Sequence, residues 1–285
     1  MRQTTFFDGV AGRMLDSVAV DAFRVEYEDL CAASPGWGTI SLLPWDEEIF
    51  GFPVANLELG AEPPRTQDLT GFADALAEFS TKTKAQLIST HAPGDDLSAM
   101  AWLVKAGFSP VEFSLTATLT RLQSAKLPSS PLPLRKAVPE DLESLCAIAG
   151  TAFQFGRYHT DPRFPRELAN ARYVHWIRSA VESANADDHV FVLEQRGAVA
   201  GFMDVVISEG RADLRLGAVD PSISAGFPGA GLSLYFGSVQ AAKELGAKSI
   251  STKFAAANTR VLNVFSAMGF RFSKPEVVLH WHSAK

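Results

Sequence analysis

Two glycine-marked joints, one strand apart, constrain this chain more than any other feature. The segment Gly226-Phe-Pro-Gly229-Ala-Gly231-Leu-Ser-Leu lies where an alternating strand, Ala212 to Val219, hands over to a helix beginning near Gly231. Glycine lets backbone N–H groups approach a ligand closely, and a helix N-terminus adds partial positive charge. That combination suits a pyrophosphate. Further on, Asn258-Thr-Arg-Val-Leu-Asn-Val-Phe265-Ser-Ala-Met-Gly269-Phe270 reads as an amphipathic helix that starts at an Asn and stops at a Gly, with a short strand after it. A glycine-rich turn alone is usually a structural turn. The strand before it, the helix after it and the second motif one strand later are what point to a ligand.

The rest of the second half follows one order. Leu134 to Val138 reads as a short strand. Pro139-Glu-Asp141 opens a helix with Leu142, Leu145, Ile148, Ala149 and Phe153 on one face. Tyr173, Trp176, Ile177 and Val181 mark a helix over Arg172 to Ser183. Val190 to Glu194 and Val199 to Ile207 form a hairpin about Gln195-Arg-Gly197. After the glycine segment come a helix to Leu245, a strand over Lys248 to Phe254, the Asn258 helix and a closing strand over Val277 to Trp281. This order predicts a mixed α/β domain around a central sheet. The first half repeats part of it, with a strand over Ala85 to Thr90, a helix over Leu97 to Ala106, then Gly107-Phe108 and a long alternating strand from Glu112 to Leu119. Ala106-Gly107-Phe108 parallels Met268-Gly269-Phe270, although a glycine at a helix end is common enough to arise independently. Between the halves, Ser124-Ala-Lys-Leu-Pro-Ser-Ser-Pro-Leu-Pro133 favours extended, poorly packed backbone. The expected domains are therefore residues 1–123 and 134–285, with 124–133 as linker.

Formal net charge is −6 over 285 residues, so neither a broad nucleic-acid surface nor an anionic-membrane surface is expected. Any phosphate binding should be local. Cys31 and Cys146 have no metal spacing and read as reduced thiols. His280 and His282 have no third ligand apparent in sequence, so no metal site is expected. No apolar run is long enough to span a membrane, and Asp8, Asp16 and Asp21 interrupt any secretion signal, which makes the cytoplasm the expected location.

The two glycine-marked segments together resemble the acetyl-CoA-binding core of the GNAT acyltransferases. In that family a Gln/Arg-x-x-Gly-x-Gly/Ala loop holds the CoA pyrophosphate, and an Asn-x-x-Ala-x-x-x-Tyr-x-x-x-Gly-Phe helix flanks the thioester. The resemblance implies a GNAT fold with a degenerate GNAT-like N-terminal half, lacking the glycine loop, followed by an intact catalytic C-terminal domain. It implies acetyl-CoA as cosubstrate, bound by Val219, by backbone N–H groups of Phe227, Gly229, Ala230, Gly231 and Leu232, and by Asn258. Pro228 has no N–H to offer. The carbonyl would be polarised by an N–H near Gly217, Ala218 or Val219, where the family bulges its fourth strand. Two departures stand out: Gly226 where the family often has Arg or Gln, and Phe265 where it commonly has a thiolate-protonating Tyr.

The acceptor side is marked by Phe155-Gly-Arg157-Tyr158-His159-Thr-Asp161-Pro-Arg163-Phe164, which mixes aromatics, cations and a base. His159 is the candidate base, with an ordered water as its competitor. Arg157 and Arg163 suit a phosphate-bearing acceptor, while a solvated loop with local ion pairs is the plainer reading. This segment, the helix containing Tyr173 and Trp176, and Leu43-Pro-Trp45-Asp46-x-x-x-Phe50-Gly51-Phe52-Pro53-Val54 resemble the GNAT branch that acetylates TDP-4-amino-4,6-dideoxygalactose. Arg157, Tyr158, Asp161, Arg163 and Trp176 are the acceptor-binding residues which that resemblance implies. The expected function is acetyl transfer to a small-molecule amine, with a homodimer allowed. A catalytically silent CoA-binding module and transfer to a peptide or another amine are the competing readings.

Overall fold

The structure, a computed structural model, describes residues 38–60, 69–127, 130, 132–226 and 229–283. Cys31, Phe227 and Pro228 lie outside the described residues. In chain order the elements are β1 (Gly38–Leu42), α1 (Pro44–Phe50), β2 (Val54–Leu59), α2 (Leu69–Thr83), β3 (Leu87–Pro93), α3 (Leu97–Lys105) and β4 (Ser109–Leu119). There follow β5 (Leu134–Lys136), α4 (Leu142–Ala152), α5 (Arg157–Thr160), α6 (Arg166–Glu182), β6 (Asp188–Gln195), β7 (Ala198–Ser208) and β8 (Arg211–Val219). The last are α7 (Pro221–Gly226), α8 (Ala230–Glu244), β9 (Ser249–Ala255), α9 (Thr259–Ala267), β10 (Arg271–Phe272) and β11 (Glu276–His282). No described helix is long and apolar enough to cross a membrane.

The chain divides into two compact units, one running to Val111 and resuming at Glu276, the other Glu112–Pro275. In the first unit the strands lie in the order β1-β2-β3-β11, with β2 and β3 parallel and the other pairs antiparallel. Phe72, Leu76 and Phe79, three or four apart, form one stripe of α2. They pack with Trp102 and Leu103 of α3 onto Ala55, Ile88, Ala92, Val277 and Leu279 of the sheet. Helix α3 starts at Asp96, whose Oδ1 accepts the Ala99 N–H at 2.9 Å.

In the second unit the order is β4-β9-β8-β7-β6-β5, with β10 paired to β4. One face carries α8 and α9 over Met203, Val205, Ala212, Leu214 and Ile250. The other carries α4 and α6 over Val190, Val192, Phe202, Leu216 and Ala218. The strand into this unit's first helix is tied to it by Arg135, bidentate to Asp141 at 2.7 and 2.9 Å and bonded to Glu194 at 2.9 Å.

The two helix–glycine–strand joints are built alike. Asn258 caps α9 as Asp96 caps α3, accepting the Val261 N–H at 3.3 Å. Gly107 and Gly269 take left-handed φ values of 97° and 81°. The N–H groups of Phe108 and Phe270 then reach back to the carbonyls of Leu103 and Phe265, both at 3.0 Å.

The boundary expected in residues 124–133 is not where the chain divides. Each unit takes its edge from the other half of the sequence: β4 pairs with β9 from Ser114 to Leu119, and β11 pairs with β3 along seven residue pairs. The supposed linker is anchored in the second unit. Leu127 and Leu132 pack on its core. Gln123 Nε2 donates to the carbonyls of Lys243 and Ala247 at 3.0 and 2.7 Å, and Lys243 Nζ to that of Ala125 at 3.0 Å.

Strand β8 pairs in parallel with β9 only over Arg211–Asp213 against Ser249–Ser251, and then leaves it. At the parting, the Thr252 hydroxyl donates to the Leu214 carbonyl at 2.9 Å. On its other edge the register with β7 slips, so that Asp204 opposes Leu216 and Val205 opposes Leu214. Arg215 is the extra residue of this bulge. Its Nη2 bonds Asp204 Oδ1 at 2.8 Å and Asp188 Oδ1 at 3.3 Å. Trp176 Nε1 of α6 donates to the other Asp204 oxygen at 3.0 Å, and the Ser183 hydroxyl to Asp188 Oδ2 at 2.6 Å. Asp204 is fully buried, which pushes its carboxyl up despite the guanidinium beside it.

Residues 134–285 expressed alone lack β4, which leaves the β9 edge and the seats of Ala117, Leu119 and Leu122 open. They are expected to show no cooperative urea transition by circular dichroism; a sharp two-state curve would restore the expected boundary. Arg215→Met leaves a buried carboxylate without its cation and should lower stability at pH 7 by about 3–5 kcal/mol. The folded state then holds a proton on Asp204 more tightly than the unfolded chain does, so stability should rise as pH falls from 7 towards 5. Urea titrations at the two pH values would measure it, and a variant equally destabilised at both would contradict this account.

Candidate functional site

The site begins with the opening between β8 and β9. Asp220 donates its N–H to the Ala200 carbonyl at 2.9 Å, and Ala218 opposes Phe202 in the same register. In an antiparallel ladder alternate residues point the same way. The Ala218 and Leu216 N–H groups therefore face β7, while those of Gly217 and Val219 face the opening. The bulge lies at Arg215, ahead of the expected stretch from Gly217 to Val219, and of the three amides expected there those of Gly217 and Val219 face the opening while that of Ala218 is turned to β7. A Cβ at Gly217 would lie 2.8 Å from Met203 Sδ, so the end of that methionine would have to shift to admit a side chain.

The glycine segment is part helix. The Asp220 carboxylate caps α7, accepting the Ser222 N–H at 2.8 Å and its hydroxyl at 2.7 Å. The 15-residue helix α8 starts at Gly229, and no side chain caps it. Ala230 is buried in the core, Leu232 is exposed, and a Cβ on Gly231 would meet open space. A long helix thus begins at a residue with no capping side chain, and among the described residues no side chain is seen to bond its first-turn N–H groups.

Asn258 spends its Oδ1 on capping α9, which leaves its amide NH₂ for other partners. Phe265 is 1% exposed, with ring centroids of Phe270, Tyr235 and Phe254 at 4.8, 5.2 and 5.6 Å. It is a core residue. Tyr235 meets it edge-on from α8, and burial pushes that phenol up to about 12.

The acceptor segment folds as α5 and is mostly turned inward. Tyr158 and Asp161 are buried. Arg157 donates to the Tyr158 hydroxyl at 3.1 Å and lies over its ring, and Arg172 lies over both Tyr158 and Trp176. Asp161 Oδ1 accepts the Arg163 N–H at 2.9 Å, while the Arg163 side chain is exposed. The Trp176 indole N–H is held by Asp204, as described above. Tyr158, Asp161 and Trp176 therefore build the segment, and Arg163 is the exposed member of the expected set.

His159 does not fit a proton acceptor in contact with substrate. Its Nε2 pairs with Asn170 Oδ1 at 2.8 Å, its Nδ1 is buried, and its ring stacks on Tyr173 at 5.5 Å. Burial lowers its pKa and keeps it neutral. Gly156 leaves the space for this stack, since a Cβ there would strike the Tyr173 hydroxyl.

Glu112 on β4 was missed from the sequence. Its carboxylate accepts the Arg157 backbone N–H and is flanked by the side chains of Arg157 and Lys253; burial outweighs them and pushes its pKa up. The signal was faint: a carboxylate at the head of the alternating run Glu112-x-Ser114-x-Thr116-x-Thr118. Asp213, at the last paired position of β8, is likewise pushed up by burial to about 6.

No family model and no curated protein matches the chain. Solved structures do. A conserved protein of unknown function from Staphylococcus epidermidis superposes with a TM-score of 0.62 at 8% identity, over 88% of this chain and 93% of that one. A GCN5-related N-acetyltransferase from Kribbella flavida gives 0.58 at 14% identity, over 96% of each chain. Another from Sphaerobacter thermophilus gives 0.58 at 14%, over 99% of this chain and 94% of that one. What likeness at such identities carries is architecture: this chain has the fold of the GCN5-related N-acetyltransferases.

Proposed function

We propose that the protein is an acyl-CoA-dependent N-acetyltransferase acting on a small-molecule amine, a nucleotide-linked 4-amino-deoxysugar. The observation that carries this reading is the parting of β8 from β9, with the Gly217 and Val219 amides facing the gap and the uncapped start of α8 just downstream. An uncapped helix start with Gly231 open to solvent suits a diphosphate, and strand amides aimed at a gap suit a thioester carbonyl. Gly229, Ala230, Gly231 and Leu232 would hold the diphosphate, with Phe227 and Asn258 as further contacts. In the transfer the amine nitrogen bonds to the carbonyl carbon, the C–S bond breaks, and CoA leaves as the thiol. Holding both reactants in line supplies much of the rate enhancement. Phe265 has no proton to give, so the leaving sulfur draws its proton from solvent in this reading. The sugar nucleotide is supported by the exposed Arg163 and by the resemblance of the acceptor segment.

The buried Phe265 also favours a second reading, a CoA-binding module that does not transfer. Incubation with acetyl-CoA and a panel of TDP-amino sugars and simple amines, followed by mass spectrometry, separates the two. An acetylated sugar is expected; saturable CoA binding with no thiol release from any amine would select the silent module. Gly231→Leu places a side chain in the open space over α8 and should weaken acetyl-CoA binding at least about tenfold by calorimetry. It should leave the thermal midpoint unchanged, because leucine is a good helix former and meets nothing there. Undiminished affinity would move the diphosphate away from this helix.

A further inference from the structure

We propose that Glu112 is the catalytic base that takes the proton from the attacking amine, an inference resting on the acyl-transfer reading above. Its place follows from strand registers. Beyond their last pair, Asp213–Ser251, Gly217 on β8 and Ala255 on β9 each stand four residues on, facing the same opening. Ala255 pairs with Ser114 of β4, and Phe113 accepts the Ala256 N–H at 2.6 Å, so Glu112 lies at the depth of the parted strands. Its side chain points to the acceptor face. Ala117 and Leu119 bury among α8 and α9, so by alternation Ser114 and Glu112 face the opposite side, where Arg157 of α5 hands its N–H to the carboxylate.

The chemistry of the position suits a base. Burial makes the carboxylate more basic than a solvated one, and Arg157 from α5 and Lys253 from β9 favour its ionised form and limit that rise. His159, with one nitrogen bonded and the other buried, leaves the role open. As the N–C bond forms, the amine's proton passes to the Glu112 carboxylate and then to solvent, while the departing thiolate takes one from solvent. No other reactant is required.

Glu112→Gln keeps an oxygen to accept the Arg157 N–H and keeps the volume, so a structural role would survive it. The expected result is a fall in kcat of about 10²–10⁴. Acetyl-CoA affinity and thermal midpoint should stay at wild-type values. The wild-type pH profile should fall on its acid side at a pH above the ordinary carboxylate range, because the raised carboxyl must be ionised to act. The variant should lose that limb and regain rate at high pH, where the amine is already neutral. A variant within threefold of wild type, or one that keeps the acid limb, would overturn the assignment while leaving acyl transfer intact. A wild-type protein that binds acetyl-CoA but acylates no amine would overturn the transfer and the base together.

Discussion

The buried pairing of Arg215 with Asp204 is the interaction on which the second unit depends. A guanidinium held between Asp204 and Asp188, with Trp176 on the far oxygen, joins three strands and α6 at one point. That point is the bulge, and the bulge changes which face of the sheet β8 presents. Ala212 and Leu214 bury under α8 and α9, whereas Leu216 and Ala218 bury under α4 and α6. The strand can leave β9 without exposing either set, and the amides of Gly217 and Val219 are freed as a result. A buried ion pair contributes little net stability against an apolar replacement. Here its effect is geometric, because it fixes one register out of two.

Why the sequence hides this bulge is now clear. Residues 212, 214, 216 and 218 are all apolar, so the alternation runs unbroken while the buried side changes. Period-two patterning reports that a residue is buried, not which helix layer buries it. Many elements were legible: the Asn258 cap, the Gly107 and Gly269 stops and the core stripes of α4 and α6 are local signals, and each forms where local chemistry directs. The domain boundary was not legible, because proline and serine in residues 124–133 mark non-regular backbone and are silent about what it packs on. His159 and Tyr158 were recognisable as unusual residues for a connection, yet their inward packing follows from Tyr173, Asn170 and Arg172 one helix away.

Phe265 stands where the resembled motif would place a tyrosine, and in this fold it packs. Its ring fills the junction of α8, α9 and β9 among Tyr235, Phe254 and Phe270. A hydroxyl in that junction would need a hydrogen-bond partner that phenylalanine does not.

The exchange of strands bears on where this chain can be cut. Glu112 and the run to Leu119 belong by sequence to the first half, yet they complete the sheet of the second unit. Removing the first half of the sequence would consequently strip an edge strand and a buried carboxylate from the second unit.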